Sequence, residues 1–184
     1  MINIFKTRIL KGVVTQNIEP EAIAQIESSG SELKSLILKK FGRSLHIREV
    51  DTGSCGACES EIISANNPIY DLQRFGVNFV SSPRHADCLL VTGPVSKNMF
   101  IALKKTCEAM PEPKFVITCG DCALDGGLFK DSYYVYGTIK DIFPVILHIP
   151  GCPPNPLEII SSLNTFLQKT KAIAKKKEGS EGNA

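Results

Sequence analysis

The sequence lacks several features that would assign it to a common class of protein. No run approaches the ~18 apolar residues of a membrane-spanning helix, so any membrane contact is expected to be peripheral or through partners. The net charge is +2 over 184 residues with the two signs interspersed, which leaves no large basic surface. No nucleic-acid-binding motif and no internal repeat is apparent, and we therefore expect no nucleic-acid partner.

The first residues also lack the apolar core of a secretory signal. Lys6, Arg8, Lys11 and Gly12 interrupt the sequence before a core of about seven apolar residues could form. This predicts a cytoplasmic protein. Seven cysteines are present, and an odd number in a reducing compartment favours metal or redox chemistry over a disulfide framework.

From residue 45 onward, short apolar runs alternate with stretches of helical periodicity. The predicted strands are Leu45–Val50, Val77–Val80, Leu89–Thr92, Phe115–Thr118 and Val145–Ile149. The predicted helices are Glu59–Ala65, Met99–Met110 and Pro156–Gln168. This alternation is typical of an α/β fold with an open, mainly parallel, flavodoxin-like sheet and helices on both faces.

Residues 1–44 are predicted to form an N-terminal helical extension to this domain. Two helices are expected there, over Glu21–Ser28 and Ser31–Phe41, and the second is amphipathic with lysines on its polar side. Such a helix either packs on its own domain or rests on a membrane surface or a partner, and the sequence leaves both open. The domain itself is predicted to span 45–168, and 169–184 to be a disordered polar tail.

Local context separates the cysteines into groups. Cys88 opens an apolar run and Cys107 lies on the apolar stripe of a predicted helix, so both are expected to be small buried hydrophobes. Five cysteines remain, and among them Cys55-Gly-Ala-Cys58, Cys122 and Cys152 each follow a predicted strand within a few residues. Because ligands bind at the carboxyl ends of parallel strands, one edge of the sheet could gather all four.

Four thiolates are what a 4Fe-4S cluster requires, one for each iron. A C-x2-C turn supplies two of them from one loop, and Gly151-Cys152-Pro153-Pro154 is typical of an iron-sulfur ligand followed by proline. The glycine before Cys152 permits close approach of the backbone to a bulky inorganic core.

Two other arrangements of thiols stay open at this point. Cys119 and Cys122 form a second C-x2-C, so spacing alone allows a zinc site of Cys55, Cys58, Cys119 and Cys122, although it leaves Cys152 without a role. A predicted strand followed by Cys55-Gly-Ala-Cys58 and a helix is also the arrangement of a thioredoxin-like dithiol.

Several separated motifs, in order, resemble one known family over about residues 31–168. The chain resembles the small subunit of membrane-bound, energy-converting (group 4, formate hydrogenlyase type) NiFe hydrogenases, which is homologous to the terminal-cluster subunit of respiratory complex I. The motifs are Asp51-Thr-Gly-Ser-Cys-Gly-Ala-Cys-Glu-Ser-Glu61, Ser82-Pro-Arg-His-Ala-Asp87, Thr92-Gly-Pro94, Cys122-Ala-Leu-Asp-Gly-Gly127 and Ile149-Pro-Gly-Cys-Pro-Pro154.

The resemblance implies a ligand set and a role for the protein. In the family pattern the third ligand precedes a small residue, two variable positions and Gly-Gly, which matches Cys122 and not Cys119. One 4Fe-4S cluster on Cys55, Cys58, Cys122 and Cys152 would then relay electrons from a ferredoxin-like two-cluster subunit to a hydrogenase-like large subunit. Integral membrane subunits would complete the complex, with this subunit on the cytoplasmic face.

The resemblance also points to residues that would act beside the cluster. Arg84 and His85 are expected to tune it or to contact a partner, and Glu61 to face the large subunit and assist proton-linked transfer. The alternative within the same family is a complex I-like, quinone-reducing complex whose large subunit has no nickel site.

Overall fold

The structure is a computed structural model that describes residues 2–12 and 20–178. The helices are α1 (Ile2–Lys11), α2 (Pro20–Phe41), α3 (Ala57–Ser64), α4 (Phe100–Glu108), α5 (Asp121–Asp125), α6 (Ile139–Ile142) and α7 (Pro156–Glu178). The strands are β1 (Leu45–Asp51), β2 (Val77–Phe79), β3 (Cys88–Thr92), β4 (Val95–Ser96), β5 (Phe115–Cys119), β6 (Val135–Gly137) and β7 (Val145–Ile149).

Five strands form one parallel sheet in the order β2-β1-β3-β5-β7. Without the short β4 and β6, this is the flavodoxin-like order 2-1-3-4-5, and the predicted fold class is confirmed. The predicted strands differ from the observed ones by one residue at most at either end. The central strands β3 and β5 are apolar and almost fully buried, which explains why they were visible in the sequence, whereas the edge strands β2 and β7 are only partly buried.

Alternate residues of β3 enter two separate cores, as the two-residue period of a strand requires. Cys88 and Leu90 pack in a core with α2, α3 and α7, while Leu89 and Val91 pack in a second core with α4 and α6. Helices therefore cover both faces of the sheet. Cys88 and Cys107 are 1% and 4% exposed, which confirms them as buried hydrophobes.

The two helices predicted in the N-terminal segment are one continuous helix, α2. The sequence suggests a break at Gly30, but Gly30 is buried in the helix and the ring of Phe75 occupies the space where a side chain would be. Leu33 and Ile37 of the predicted amphipathic stripe are 0% and 1% exposed. Its apolar side thus packs on the domain itself, chiefly along α7.

Two further features differ from the sequence-based expectations. The short helices α5 and α6 and an antiparallel ribbon of β4 and β6 were not anticipated, because elements of two to five residues carry too little periodicity. Helix α7 continues to Glu178, beyond the predicted end at Gln168, and residues 179–184 of the predicted tail lie outside the described residues. The division at residues 44 and 168 stays a prediction.

Among the helices of residues 2–12 and 20–178, none has the length and apolar character needed to span a bilayer.

Candidate metal centre

The loops that carry the predicted ligands leave the same edge of the sheet. Cys55 follows β1, Cys122 follows β5 and Cys152 follows β7, each within four residues of the strand end. All three strands are parallel, so their carboxyl ends lie side by side. Cys58 is in the first turn of α3, one turn of chain after Cys55.

The side chains of Cys55, Cys58, Cys122 and Cys152 line one cavity with about 320 Å³ of empty space, including the part open to solvent. Cys55 and Cys152 are exposed, whereas Cys58 and Cys122 are partly buried. The cavity wall is otherwise mainly apolar or glycine, contributed by Ser54, Ala57, Gly93, Pro94, Asp121, Phe129, Gly151 and Pro153.

The first loop is shaped by hydrogen bonds from its own side chains. Asp51 Oδ1 accepts the backbone N–H groups of Gly53 and Ser54 at 2.8 and 2.7 Å. The hydroxyl of the buried Thr52 donates to the Thr92 carbonyl at 2.8 Å, which fastens this loop to the end of β3. Backbone donors in a tight turn are thereby satisfied, and Cys55 is presented at its tip.

Asp121 joins the second and third loops. Its backbone N–H donates to the Gly151 carbonyl at 2.9 Å, and its carboxylate accepts the Gly151 N–H at 3.0 Å. His148 Nε2 lies 3.6 Å from the same carboxylate oxygen, and burial lowers the pKa of His148 despite the charge of Asp121. Cys122 and Cys152 are thus carried by segments that are hydrogen-bonded to each other.

Glycines leave room around two of the sulfurs. A Cβ atom on Gly120 would lie 2.5 Å from Cys58 Sγ, and one on Gly127 would lie 2.9 Å from Cys122 Sγ. Both residues have positive φ, +85° and +48°, which also favours glycine. A side chain at either position would therefore collide with a cysteine sulfur, and glycine avoids this.

The ionisation of the thiols reflects their proximity to one another. Burial raises the pKa of Cys122, and the charges of Cys152 and Cys58 raise it further. Thiolates that repel one another in this way are stabilised together by a bound cation, since coordination deprotonates a thiol outright. Four soft sulfur donors in an apolar cradle fit an iron-sulfur cluster.

Single-metal coordination has less support. Within residues 2–12 and 20–178, no group of three His, Cys, Asp or Glu side chains converges closely enough to hold one metal ion. A cubane does not need such convergence, because each thiolate binds a different iron. Cys119 does not line the cavity, as the alternative zinc set would require, and it is 0% exposed behind Cys58.

The thiols of Cys58 and Cys119 interact, which the sequence did not reveal. Interaction with Cys119 lowers the pKa of Cys58, against the effect of burial, and interaction with Cys58 raises the pKa of Cys119, to which burial also contributes. The only signal in the sequence was the second C-x2-C. Spacing alone does not distinguish a ligand from a residue that supports a ligand.

Arg84 and His85 do not line this cavity, and their expected role in tuning a cluster stays a prediction. They belong to a turn, Pro83–His85, that precedes β3 and line a separate open groove with Arg43 and His46. This groove lies at the amino end of β3 and the cavity at its carboxyl end, and the strand spans roughly 13 Å at ~3.3 Å per residue. This distance exceeds the Debye length of about 8 Å at physiological salt, so solvent screens the two sites from each other. An interface role for the two residues stays a prediction.

Carboxylates lie closer to the thiols than the sequence suggested. Glu61 is partly buried in α3 but does not line the cavity. Both carboxylate oxygens of Glu59, by contrast, are buried and have no hydrogen-bond partner within the described residues. Burial and the charge of Glu59 raise the pKa of Glu49, and both glutamates influence Cys58 and Cys119. The negative charge near the site therefore comes from these two residues together with Asp121, which lines the cavity.

Comparison with known proteins places this geometry in a family context. The formate hydrogenlyase subunit 7 of Escherichia coli is 43% identical over 131 residues, which cover 71% of this chain and 51% of that protein. The chain thus spans about half the length of that relative. The "Probable membrane-bound hydrogenase subunit mbhJ" of Pyrococcus furiosus is 42% identical, over 76% of this chain and 83% of that protein.

A solved structure agrees with these relatives. A chain of the membrane-bound sulfane sulfur reductase, an archaeal respiratory membrane complex, superposes with a TM-score of 0.60 and 31% identity, covering 68% of this chain and 70% of that one. The profile of the family described as NADH ubiquinone oxidoreductase, 20 Kd subunit, matches residues 55–166, a segment that holds all four cavity cysteines. The chain therefore belongs to the NADH ubiquinone oxidoreductase 20 Kd subunit family and is an oxidoreductase subunit of the hydrogenase and complex I type.

Proposed function

We propose that this chain is an electron-transfer subunit that carries one 4Fe-4S cluster on Cys55, Cys58, Cys122 and Cys152. The observation that supports the proposal most is that these four side chains line one cavity at the carboxyl edge of the parallel sheet. When bound, a cluster of this type accepts and releases single electrons. The cysteines bind it, and Pro94, Phe129 and Pro153 limit the access of water.

We further propose that the subunit relays electrons between a ferredoxin-like subunit and the catalytic large subunit of a membrane-bound hydrogenase complex. The cavity opens to the surface, since Cys55 and Cys152 are exposed. Phe129, which lines the cavity, is 43% exposed, and its neighbour in the chain, Leu128, is 89% exposed. Exposed apolar side chains of this kind are typical of a surface that a partner covers.

The subunit would then lie peripherally on the cytoplasmic face of the membrane, held there by integral membrane subunits. In this arrangement Glu61, on the same helix as Cys58, would face the large subunit and assist proton-linked transfer. Turnover of the intact complex should fall in Glu61→Gln, and an unchanged turnover with full assembly would remove that role.

The first experiment is metal and sulfide analysis of the chain purified without oxygen. We expect about four irons and four acid-labile sulfides per chain, and a brown protein. Serine at position 55, 58, 122 or 152 should lower the iron content, whereas the matched control Cys107→Ser, in the second core, should not. One colourless zinc per chain, retained in Cys152→Ser and lost in Cys119→Ser, would replace the proposal by the zinc site.

A second candidate function is the equivalent subunit of a quinone-reducing, complex I-like respiratory complex without nickel. The observation that favours it is the match to the family described as NADH ubiquinone oxidoreductase, 20 Kd subunit. Both functions use the same residues of this chain, so only the large subunit can distinguish them. Nickel in the large subunit of the purified native complex supports the hydrogenase function, and its absence supports the alternative.

A further inference from the structure

A second concave surface lies at the amino end of β3, at the opposite edge of the sheet from the cysteine cavity. It holds about 600 Å³ of empty space, including the part open to solvent, and its wall carries Arg43, His46, Arg84, His85 and Asp87. We call this surface the basic groove. The function proposed above uses none of these residues.

The carboxylate in the basic groove is already paired. Asp87 accepts two hydrogen bonds from Arg43, at 2.7 and 2.9 Å, and one from the His46 N–H at 3.0 Å. Arg43 is thereby held at the groove wall, while its side chain stays 52% exposed. Among the described residues no other carboxylate lines the groove, so the charge left over there is positive.

Arg84 and His85 are available to a ligand. Both are exposed, and in the described part of the chain no hydrogen bond or ion pair involves the side chain of either one. A guanidinium presents its N–H donors in one plane, in a fork that matches the two oxygens of a carboxylate. Arg84 therefore offers a complete fork on the wall that also carries Arg43.

The backbone of the groove distinguishes between two kinds of anion. Phosphate sites commonly use convergent backbone N–H groups, at a helix N-terminus or in a nest. Here the N–H groups of His85, Ala86 and Asp87 each donate to a carbonyl of this chain, at 3.3, 3.1 and 2.8 Å, and Pro83 has no N–H. The groove thus offers cationic side chains and few backbone donors, which suits carboxylates presented by another chain.

The charges beside the cysteine cavity have the opposite sign. Asp51 ends β1 and Asp121 follows β5, both at the carboxyl edge, and Glu59 directly follows Cys58. An acidic segment is therefore repelled from that edge and attracted to the basic groove. Charge complementarity assigns the two edges of the sheet to different partner surfaces.

We propose that the basic groove is a docking site for an acidic segment of a partner subunit, with one of its carboxylates bound by the guanidinium of Arg84. The proposal rests on the assembly proposed above, but not on the cluster. Bidentate, charge-assisted pairs of this kind fix the orientation of a partner as well as adding affinity. Because the groove lies a strand length from the cavity, it holds the partner and takes no part in electron transfer.

The first test is photo-cross-linking within the native complex. Benzoylphenylalanine takes the place of Arg84, and mass spectrometry of the irradiated complex identifies the attached segment. We expect a segment of another subunit that is rich in Asp and Glu. The matched control replaces Lys104, an exposed cation of α4 that pairs loosely with Glu108, and should not attach to that segment. No product at position 84, or a segment without acidic residues, would overturn the proposal.

The second test reverses the charge at the groove. In Arg84→Glu we expect the cross-linked subunit to bind about tenfold to a hundredfold more weakly, since a charged hydrogen-bonded pair is lost. Gel filtration at increasing salt measures this loss, and Lys104→Glu should behave as the wild type. Arginine in place of the cross-linked acidic residue should restore binding to Arg84→Glu. Equal salt sensitivity of Arg84→Glu and wild type would overturn the proposal.

Two further measurements separate this inference from its alternatives. Saturable binding of inorganic phosphate to the purified chain, lost in Arg84→Gln, would replace the acidic segment by a free anion and overturn the proposal. Full iron and sulfide content in Arg84→Glu, with normal assembly, would overturn the groove alone. A wild-type chain without iron and sulfide would overturn the function, while the cross-link at position 84 would still decide the groove.

Discussion

Asp121 and Gly151 exchange two hydrogen bonds across the mouth of the cysteine cavity. The Asp121 N–H donates to the Gly151 carbonyl at 2.9 Å, and Asp121 Oδ1 accepts the Gly151 N–H at 3.0 Å. The two residues lie thirty positions apart, immediately before Cys122 and Cys152 respectively. This pair therefore sets the separation of two of the four thiols.

Removing the Asp121 carboxylate should reduce iron binding more than it reduces the stability of the fold. Asp121 has a side chain that is 53% exposed, so we expect Asp121→Ala to lower the free energy of unfolding by only about 1 kcal/mol. Iron bound per chain should fall clearly, because Cys152 loses its fixed position. Asp121→Asn keeps the Oδ1 acceptor and should retain most of the iron. Equal iron content in Asp121→Ala and wild type would contradict this account.

A methyl group at Gly127 should interfere with the second loop. Its Cβ would lie 2.9 Å from Cys122 Sγ, and the strain at φ +48° adds a cost of about 1 kcal/mol. We expect Gly127→Ala to fold with reduced iron and sulfide content. Gly42→Ala is the control, since Gly42 has φ +66° and nothing within 4 Å of its Cβ position. A similar loss of iron in both variants would show that backbone strain alone is responsible.

Alanine at Gly30 should destabilise the protein although alanine normally favours a helix. In an exposed helix the exchange would stabilise by about 1 kcal/mol. Here the new methyl group overlaps the ring of Phe75, and we expect a net loss of about 1 to 3 kcal/mol in chemical denaturation.

Two companion variants separate the overlap from a general effect on α2. The double variant Gly30→Ala, Phe75→Leu should recover part of the loss relative to Phe75→Leu alone. Ser28→Ala, at an exposed position of the same helix, should change stability by less than about 0.5 kcal/mol. Additive effects of Gly30→Ala and Phe75→Leu would contradict the assigned contact.

Neutralising Glu49 should stabilise the protein in a pH-dependent way. Burial, followed by the charge of Glu59, raises the pKa of Glu49 above its ordinary value of 4.5. The folded protein therefore binds a proton more readily than the unfolded chain, and stability is lost as pH rises through the raised pKa. Glu49→Gln should be more stable than wild type near pH 7, and the difference should shrink toward pH 4.5.

Urea denaturation at several pH values measures this difference. The control is Glu108→Gln, whose side chain is 62% exposed and pairs only loosely with Lys104, so a small effect is expected at every pH. A stability difference for Glu49→Gln that does not vary with pH would assign the effect to packing instead.

Asp87, in the Ser-Pro-Arg-His-Ala-Asp motif, should prove important for stability rather than for the metal centre. Its carboxylate receives two hydrogen bonds from Arg43 at 2.7 and 2.9 Å, and one from the His46 N–H at 3.0 Å. Asp87→Ala should cost about 1 to 3 kcal/mol without changing iron content. Glu27→Ala, which breaks an exposed pair with Arg74, should cost about 1 kcal/mol or less.

Iron content discriminates between the two roles for this motif. A folded Asp87→Ala protein that binds much less iron would indicate that residues at the amino edge of the sheet affect iron binding by the cysteines at the carboxyl edge.

Local sequence was sufficient for the strands and for part of the cysteine assignment. Runs such as Phe115–Thr118 predict buried strands because β-branched and aromatic residues suit a covered parallel sheet. Cys88 and Cys107 were recognisable as buried because their immediate neighbours are apolar or share a helical stripe. These properties depend only on residues within a few positions of each other.

The order of strands was decided by tertiary structure, and with it the composition of the site. A strand's sequence does not reveal its neighbours, so only the fold brings the segments before Cys122 and Cys152 together and carries Arg84 and His85 to the far edge. The interaction of Cys58 with Cys119, like the contact of Gly30 with Phe75, joins segments that sequence periodicity treats as independent. The sequence by itself determined which side chains could bind or pack, and long-range packing determined which of them meet.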